Sequence, residues 1–270
     1  MSKIIVVTGA NRGIGLEIVR QLANSKKSDE YRIIGTFRSE KDLDSAVKSL
    51  GEKASKVKFQ QLDVSSADSI KAFVESFKAE EKIDTLVNNA GLNKKNSELT
   101  VEVAKQVFGV NYYGLKHITL GLLPKIDKEN GRIINVTSGL GAINSKYSEE
   151  KRKLLLATKS EKDIDELAKD YIQSIEDGTI EKSGWRTEFA GYAMSKVFAN
   201  RFGIVLAHEQ PHLFVANVCP GWVKTRMGGE KAKLDVKDGA DGIVWLIEED
   251  VEKIGESGKF WRHRKQIEYV

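Results

Sequence analysis

Short apolar runs alternate along the chain with longer stretches in which apolar residues recur every three or four positions. The runs KIIVVT (3 to 8), RIIGTF (32 to 37), KVKFQQLD (56 to 63), IDTLVNN (83 to 89), RIINVTS (132 to 138), LFVANVC (213 to 219) and GKFW (258 to 261) predict strands. Most are nearly continuous apolar segments, as strands covered on both faces are. Helical spacing between them predicts helices near 13 to 24, 40 to 50, 66 to 80, 100 to 123, 188 to 210 and 237 to 250. This alternation implies an α/β fold, with a mostly parallel seven-stranded sheet and helices on both faces.

One connection breaks the rhythm. From Ser138 to Tyr192 the chain carries about 50 residues, where a strand-to-helix turn needs only a few. Within it, SEKDIDELAKDYIQSIEDG places Ile164, Leu167, Ala168, Tyr171, Ile172 and Ile175 at helical spacing, with Ser160 as N-cap and Gly178 as stop. A helical insertion at about 141 to 188 is therefore expected to pack on the main body through this stripe. With no internal repeat or low-complexity linker, residues 1 to 270 are expected to form a single domain.

Composition narrows the function classes. Hydrophobic residues make up 40% of the chain, ample for a packed core. The 43 basic and 39 acidic residues are spread throughout, which argues against a nucleic-acid partner. The densest basic cluster, Lys259, Arg262, Arg264 and Lys265, reads as a solvated strand end or tail. Cys219 is the sole cysteine, so no intrachain disulfide forms; the chain fits a reducing compartment, and this residue reads as a small core side chain. No stretch approaches the roughly 18 apolar residues of a membrane helix, and the N-terminus lacks a signal-peptide core. A soluble, cytoplasmic protein with no membrane partner is expected. His117, His208, His212 and His263 have no metal-ligand spacing, Pro211 interrupting a helix between two of them, and Ser138 in VTSGL lacks the G-x-S-x-G elbow.

Immediately after the first strand comes TGANRGIG, in which Gly9, Asn11, Arg12, Gly13, Ile14 and Gly15 form a loop opening a helix. Glycines there permit a sharp turn, close approach of backbone to a pyrophosphate, and tight packing of helix on strand. The helix N-terminus adds free N–H groups and partial positive charge. The spacing is G-x-x-x-G-x-G rather than the strict G-x-G-x-x-G. About 20 residues on, a site for NAD places an acidic side chain on the ribose 2′-hydroxyl. Here GTFRSE supplies Arg38 instead, and Arg12 sits in the loop itself, so two guanidiniums are available for a 2′-phosphate. NADP(H) is thus favoured over NAD, with Glu40 the nearby carboxylate that works against it.

With TGANRGIG, NNAG at Asn88 to Gly91, Ser138 after the fifth strand, YAMSK at 192 to 196 and PGWVKT at 220 to 225, the chain resembles the short-chain dehydrogenase/reductases. The motifs run in order across nearly the whole sequence. The long insertion together with CPGWVKT is most similar to the NADPH-dependent carbonyl reductases, a branch that is commonly monomeric. The resemblance implies a Rossmann-type, doubly wound sheet. It further implies that Asp63, Val64, Asn89, Ala90 and Gly91 frame the adenine and its ribose. Pro220, Gly221, Val223 and Thr225 would hold the nicotinamide end, and Asn111 would support a water-linked proton path. Trp222 and Met227 are candidate walls of an apolar substrate pocket.

Reducing a carbonyl requires a hydride at carbon and a proton at oxygen. Tyrosine is a natural proton donor, and a neighbouring ammonium favours its phenolate and lowers its pKa. Three Tyr-x-x-x-Lys pairs occur: Tyr112 with Lys116, Tyr147 with Lys151, and Tyr192 with Lys196. The catalytic tyrosine of such a unit lies on a helix between Ser138 and PGWVKT, which removes Tyr112. Tyr147 is nearer to Ser138, but its charged surroundings lead into the insertion; Tyr192 opens an amphipathic helix that reaches the sixth strand directly. Tyr192 is accordingly expected as acid, Lys196 as its tuner and ribose contact, and Ser138 as the ligand of the substrate oxygen. The expected function is NADPH-dependent reduction of a small ketone or aldehyde. Oxidation of a steroid- or terpenoid-like alcohol, and a non-catalytic NADP(H) sensor, are the alternatives.

Overall fold

The computed structural model describes residues 2–94 and 98–270. Its strands are β1 (Lys3–Val7), β2 (Tyr31–Phe37), β3 (Val57–Gln61), β4 (Ile83–Asn88), β5 (Arg132–Val136), β6 (Phe214–Val218), β7 (Lys259–Arg262) and β8 (Lys265–Ile267). The helices are α1 (Gly13–Asn24), α2 (Leu43–Leu50), α3 (Ala67–Glu75), α4 (Val101–Phe108), α5 (Leu115–Leu122), α6 (Glu149–Ala157), α7 (Glu161–Glu176), α8 (Ala190–Glu209), α9 (Val236–Glu248) and α10 (Val251–Ile254). The strands form one sheet in the order β3-β2-β1-β4-β5-β6-β7-β8, parallel from β3 to β7.

Successive strand residues point to opposite faces, and both faces are covered. Ile4, Val6, Leu86, Ile133 and Val215 enter one core, while Ile5, Val7, Val87, Ile134 and Ala216 enter the other. This is why the strands read as continuous apolar runs. No helix among the described residues is long and apolar enough to cross a membrane.

Seven strands were expected, and the eighth corrects that count. KQI returns antiparallel on β7 through a two-residue turn in which His263 and Arg264 both take positive φ, the geometry of a type I′ hairpin. Without Asn or Gly in the turn, and with only three residues to alternate, the sequence carries no readable hairpin signal. The basic cluster is thus a hairpin end, its Arg264 paired with Asp241 of α9.

Several strands are also shorter than their apolar runs at the carboxyl end. Thr8, Asn89, Thr137, Ser138 and Cys219 lie beyond the assigned strands, and their polar atoms build the site described below. The helix expected over 100 to 123 is divided into α4 and α5 by one π-helical stretch, Gly109–Gly114.

The insertion holds two helices rather than the one legible in the sequence. α7 has the expected N-cap, a reciprocal capping box between Ser160 and Asp163. Ile164, Ala168 and Tyr171 are buried, with Leu167, Ile172 and Ile175 packed against the same core. The additional helix, α6, starts where Ser148 caps the charged stretch; its weak apolar periodicity hid it. Tyr171 stacks on Phe108 of α4 at 5.6 Å, and Phe108 meets Phe198 of α8 edge-on at 5.4 Å. The insertion thereby braces the helix that carries Tyr192.

Candidate active site

The carboxyl ends of β1 and β4 lie side by side where the strand order reverses, the place where open α/β sheets take ligands. The glycine loop and the NNAG turn are welded together there. Thr8 Oγ1 accepts hydrogen bonds from the Asn89 and Ala90 N–H groups at 2.9 and 3.0 Å. Asn89 Nδ2 donates to the Thr8 and Gly9 carbonyls at 2.8 and 3.1 Å. A side chain at Gly15 would collide with Asn89 and the Gly9 carbonyl, so the loop closes only with glycine. Ile14 packs against the core beneath the loop. Asn11, with Arg12 at the N-cap of α1, completes the turn into the helix.

Arg38 follows β2 directly and is exposed, and Arg12 follows the neighbouring parallel strand β1. Besides Glu40, a second carboxylate stands at this loop: Asp42 lies 3.7 Å from the Arg12 guanidinium. Asp42 also takes both Nη groups of Arg226, at 3.1 and 3.2 Å. Neither Asp42 nor Arg226 was singled out from sequence, since 184 residues separate them. Asp63 and Val64 follow β3. The Asp63 carboxylate accepts from Ser65 N–H and Oγ at 2.9 and 2.6 Å, and Val64 is buried.

At the other end of the cleft, Tyr192 and Lys196 occupy the first turns of α8. Burial pushes the Tyr192 phenol up to about 12, with Cys219 adding to the effect and a hydrogen bond with Ser138 opposing it. Burial also draws the Lys196 ammonium down to about 8. An ammonium one turn away would by itself lower the phenol. In this fold the Lys196 Nζ lies 5.8 Å from the ring centroid and donates to the Val136 carbonyl at 3.0 Å, so desolvation wins. Ser138 caps the short turn after β5, its Oγ accepting from Leu140 N–H at 3.1 Å.

Asn111 lies inside the π-helical stretch. Its side chain accepts from Leu92 N–H at 2.7 Å and donates to Leu92 O at 2.8 Å and Ser195 Oγ at 2.9 Å. Ser195 Oγ in turn donates to the Tyr192 carbonyl at 2.7 Å. The irregular turn thus aims Asn111 at α8. Ser195 was missed from the sequence, although its position three residues after Tyr192 puts both on one helical face.

The rival tyrosines serve the insertion. Tyr112 OH and Lys116 Nζ both bond the Asp165 carboxylate of α7, at 2.7 and 2.6 Å. Tyr147 is buried, its pKa raised by desolvation, while Lys151 pairs with Asp170 and lies 4.5 Å over the Trp185 ring. Neither pair meets Ser138.

Beyond β6, Pro220 and Gly221 turn the chain with Gly221 at φ +84, and Val223 is buried. Thr225 Oγ1 accepts from Gly228 N–H at 2.9 Å, and its methyl would lie 3.5 Å from a Cβ placed on Gly13. Met227 reaches towards Gly91, where a Cβ would meet both the Met227 methyl and the Asn111 oxygen. Trp222 is half exposed and folds onto its own loop, donating to Gly228 O at 3.0 Å. Cys219 does more than fill core: its sulfur accepts from Gly139 and Gly221 N–H at 3.2 and 3.4 Å, joining the Ser138 turn to the PGWVKT segment.

An amide ladder, also unread in the sequence, fixes α8 to the sheet. Asn88, Asn135 and Asn217 stand in register on β4, β5 and β6, bonded side chain to side chain at 2.9 and 3.1 Å. Asn217 then donates to the Asn200 carbonyl at 3.0 Å, and Asn200 to Gly141 O at 3.3 Å. Through it the Ser138 turn and the Tyr192 helix hold one frame.

The chain is similar to known proteins along most of its length. The family described as short chain dehydrogenase matches residues 3–159. The (+)-neomenthol dehydrogenase of Arabidopsis thaliana is 33% identical over 269 residues, 89% of this chain and 90% of that protein. Carbonyl reductase (NADPH) 1 of Bos taurus is 30% identical over 278 residues, 98% of each chain. The structure of salutaridine reductase from Papaver somniferum superposes with a TM-score of 0.83 at 29% identity, covering 96% of this chain and 99% of that one. The chain therefore belongs to the short-chain dehydrogenase/reductase family and is an oxidoreductase acting on CH–OH and carbonyl groups.

Proposed function

We propose that the protein reduces a small-molecule ketone or aldehyde with NADPH. The observation that carries this reading is the convergence of Ser138, Tyr192, Lys196 and Asn111 at one end of the same cleft that holds the glycine loop. The residues suit the dinucleotide: the glycine loop admits no side chain at Gly15, and Arg12 and Arg38 offer cations for a 2′-phosphate. The relative from Bos taurus carries NADPH in its name. Gly9, Gly13, Asp63, Asn89, Pro220, Val223 and Thr225 would complete the cofactor's bed.

When bound, NADPH supplies the hydride. Ser138 would hydrogen-bond the substrate oxygen and turn it towards the phenol. Tyr192, neutral far above pH 7, holds the proton that the oxygen needs. As the phenol loses that proton, the buried Lys196 ammonium stabilises the charge on its oxygen. Asn111 and Ser195 hold the first turn of α8 in place and leave Asn111 beside the cleft, where it would support proton supply. Met227 and Trp222 would border an apolar substrate.

Tyr192→Phe tests the assignment, with NADPH consumption measured over a carbonyl panel. A fall of about 100- to 10,000-fold is expected, the usual span for a lost general acid. Wild-type turnover in that variant, with loss in Tyr147→Phe, would overturn it. The Arabidopsis relative named as a dehydrogenase favours a second reading, alcohol oxidation with NADP. Initial rates with NADPH plus carbonyl against NADP plus alcohol separate the two.

A further inference from the structure

We propose that the Asp42–Arg226 pair is a strap across the cofactor cleft that slows release of the dinucleotide. The inference rests on the NADP(H) reading above. Asp42 follows β2 and Arg226 follows β6, and these strands stand on opposite sides of the β1/β4 reversal. A bond between their loops must therefore cross the crevice in which such sheets take ligands. The contact is bidentate, at 3.1 and 3.2 Å, the strongest geometry an arginine and a carboxylate form. Arg12 of the glycine loop lies 3.7 Å from the same carboxylate, so three segments bordering the cleft meet at Asp42.

The segment that carries Arg226 is closed on itself. Trp222 O accepts from Lys233 and Leu234 N–H, Lys224 N–H donates to Leu234 O, and Lys224 pairs with Asp235. These bonds close residues 222 to 235 into a flap, and Arg226 on its first limb reaches Asp42. A dinucleotide lying across the strand ends would have this flap over it, and leaving would require the bridge to open. Both side chains keep solvent access, with Arg226 65% exposed, so breaking the bridge spares the core.

The test compares Arg226→Gln, Asp42→Asn and the double variant. Bound NADPH is chased with excess NADP, and its release is followed by nicotinamide fluorescence in a stopped-flow instrument. Both single variants should release NADPH faster, by up to about five-fold, the ceiling for an exposed pair. The double variant should release it no faster than either. Opposite signs, with Arg226→Gln faster and Asp42→Asn slower, would mean that only net charge matters and would overturn the strap; so would unchanged rates. Trypsin treatment of the cofactor-free protein gives a second readout, since Asp42→Asn leaves Lys224, Arg226, Lys231 and Lys233 as cleavage sites. Faster nicking of this segment supports the strap, and unchanged nicking refutes it. Faster nicking in a protein that binds no NADPH retains the tether and refutes the cofactor reading alone.

Discussion

Gly203→Ala separates what a helix prefers from what this fold tolerates. Gly203 lies in the fourth turn of α8, where helix propensity alone predicts that alanine stabilises by about 1 kcal/mol. Its tertiary surroundings reverse the sign. A methyl there would stand 2.8 Å from Asn135 Nδ2 and 2.9 Å from Asn217 Cγ, inside the amide ladder. Forcing α8 outward costs about 1–3 kcal/mol as overpacking. Breaking a ladder bond strands a buried amide at about 1–3 kcal/mol more. Subtracting the propensity gain leaves a net loss of about 1–5 kcal/mol. Gly109→Ala is the control, because a Cβ at Gly109 has nothing within 4 Å. Urea unfolding should give a clearly lower midpoint for Gly203→Ala at unchanged m, and a midpoint at or above wild type for Gly109→Ala. Turnover should fall as well, since the displaced helix carries Tyr192. A Gly203→Ala protein as stable as wild type would refute the argument that the ladder fixes α8.

Other outcomes follow from the same geometry. Lys196 is an ammonium below about pH 8 and neutral above it, whereas Tyr192 stays protonated to about 12. The kcat/KM for carbonyl reduction should therefore decline above about pH 8 in the free enzyme, and a profile flat to pH 10 would contradict this assignment. Arg38→Asp should weaken NADPH binding far more than NADH binding in a fluorescence titration, and equal losses would remove Arg38 from the 2′-phosphate site. Tyr171 of the insertion covers Phe108 of α4, which in turn meets Phe198 of α8, so these helix faces are not open to a second copy. Light scattering should then show a monomer, and a stable tetramer would exclude that reading.

The sequence by itself determined the strand and helix alternation and the glycine loop, and it ranked Tyr192 first among three tyrosines. Each is a matter of local pattern or order along the chain. Apolar runs give doubly buried strands, glycines mark a turn that side chains would block, and Tyr192 stands out because its helix leads directly into β6. The tertiary structure decided what depends on contacts between distant residues. Burial, which no spacing encodes, raised Tyr192 when its lysine neighbour was expected to lower it. Asp42 came to stand beside Arg12, and Arg226 reached it from 184 residues away, a meeting that no local pattern announces. The asparagines of β4, β5 and β6 join only when parallel strands fall into register. A chain pattern specifies which face a residue takes, but the partner across that face is set by how the elements pack.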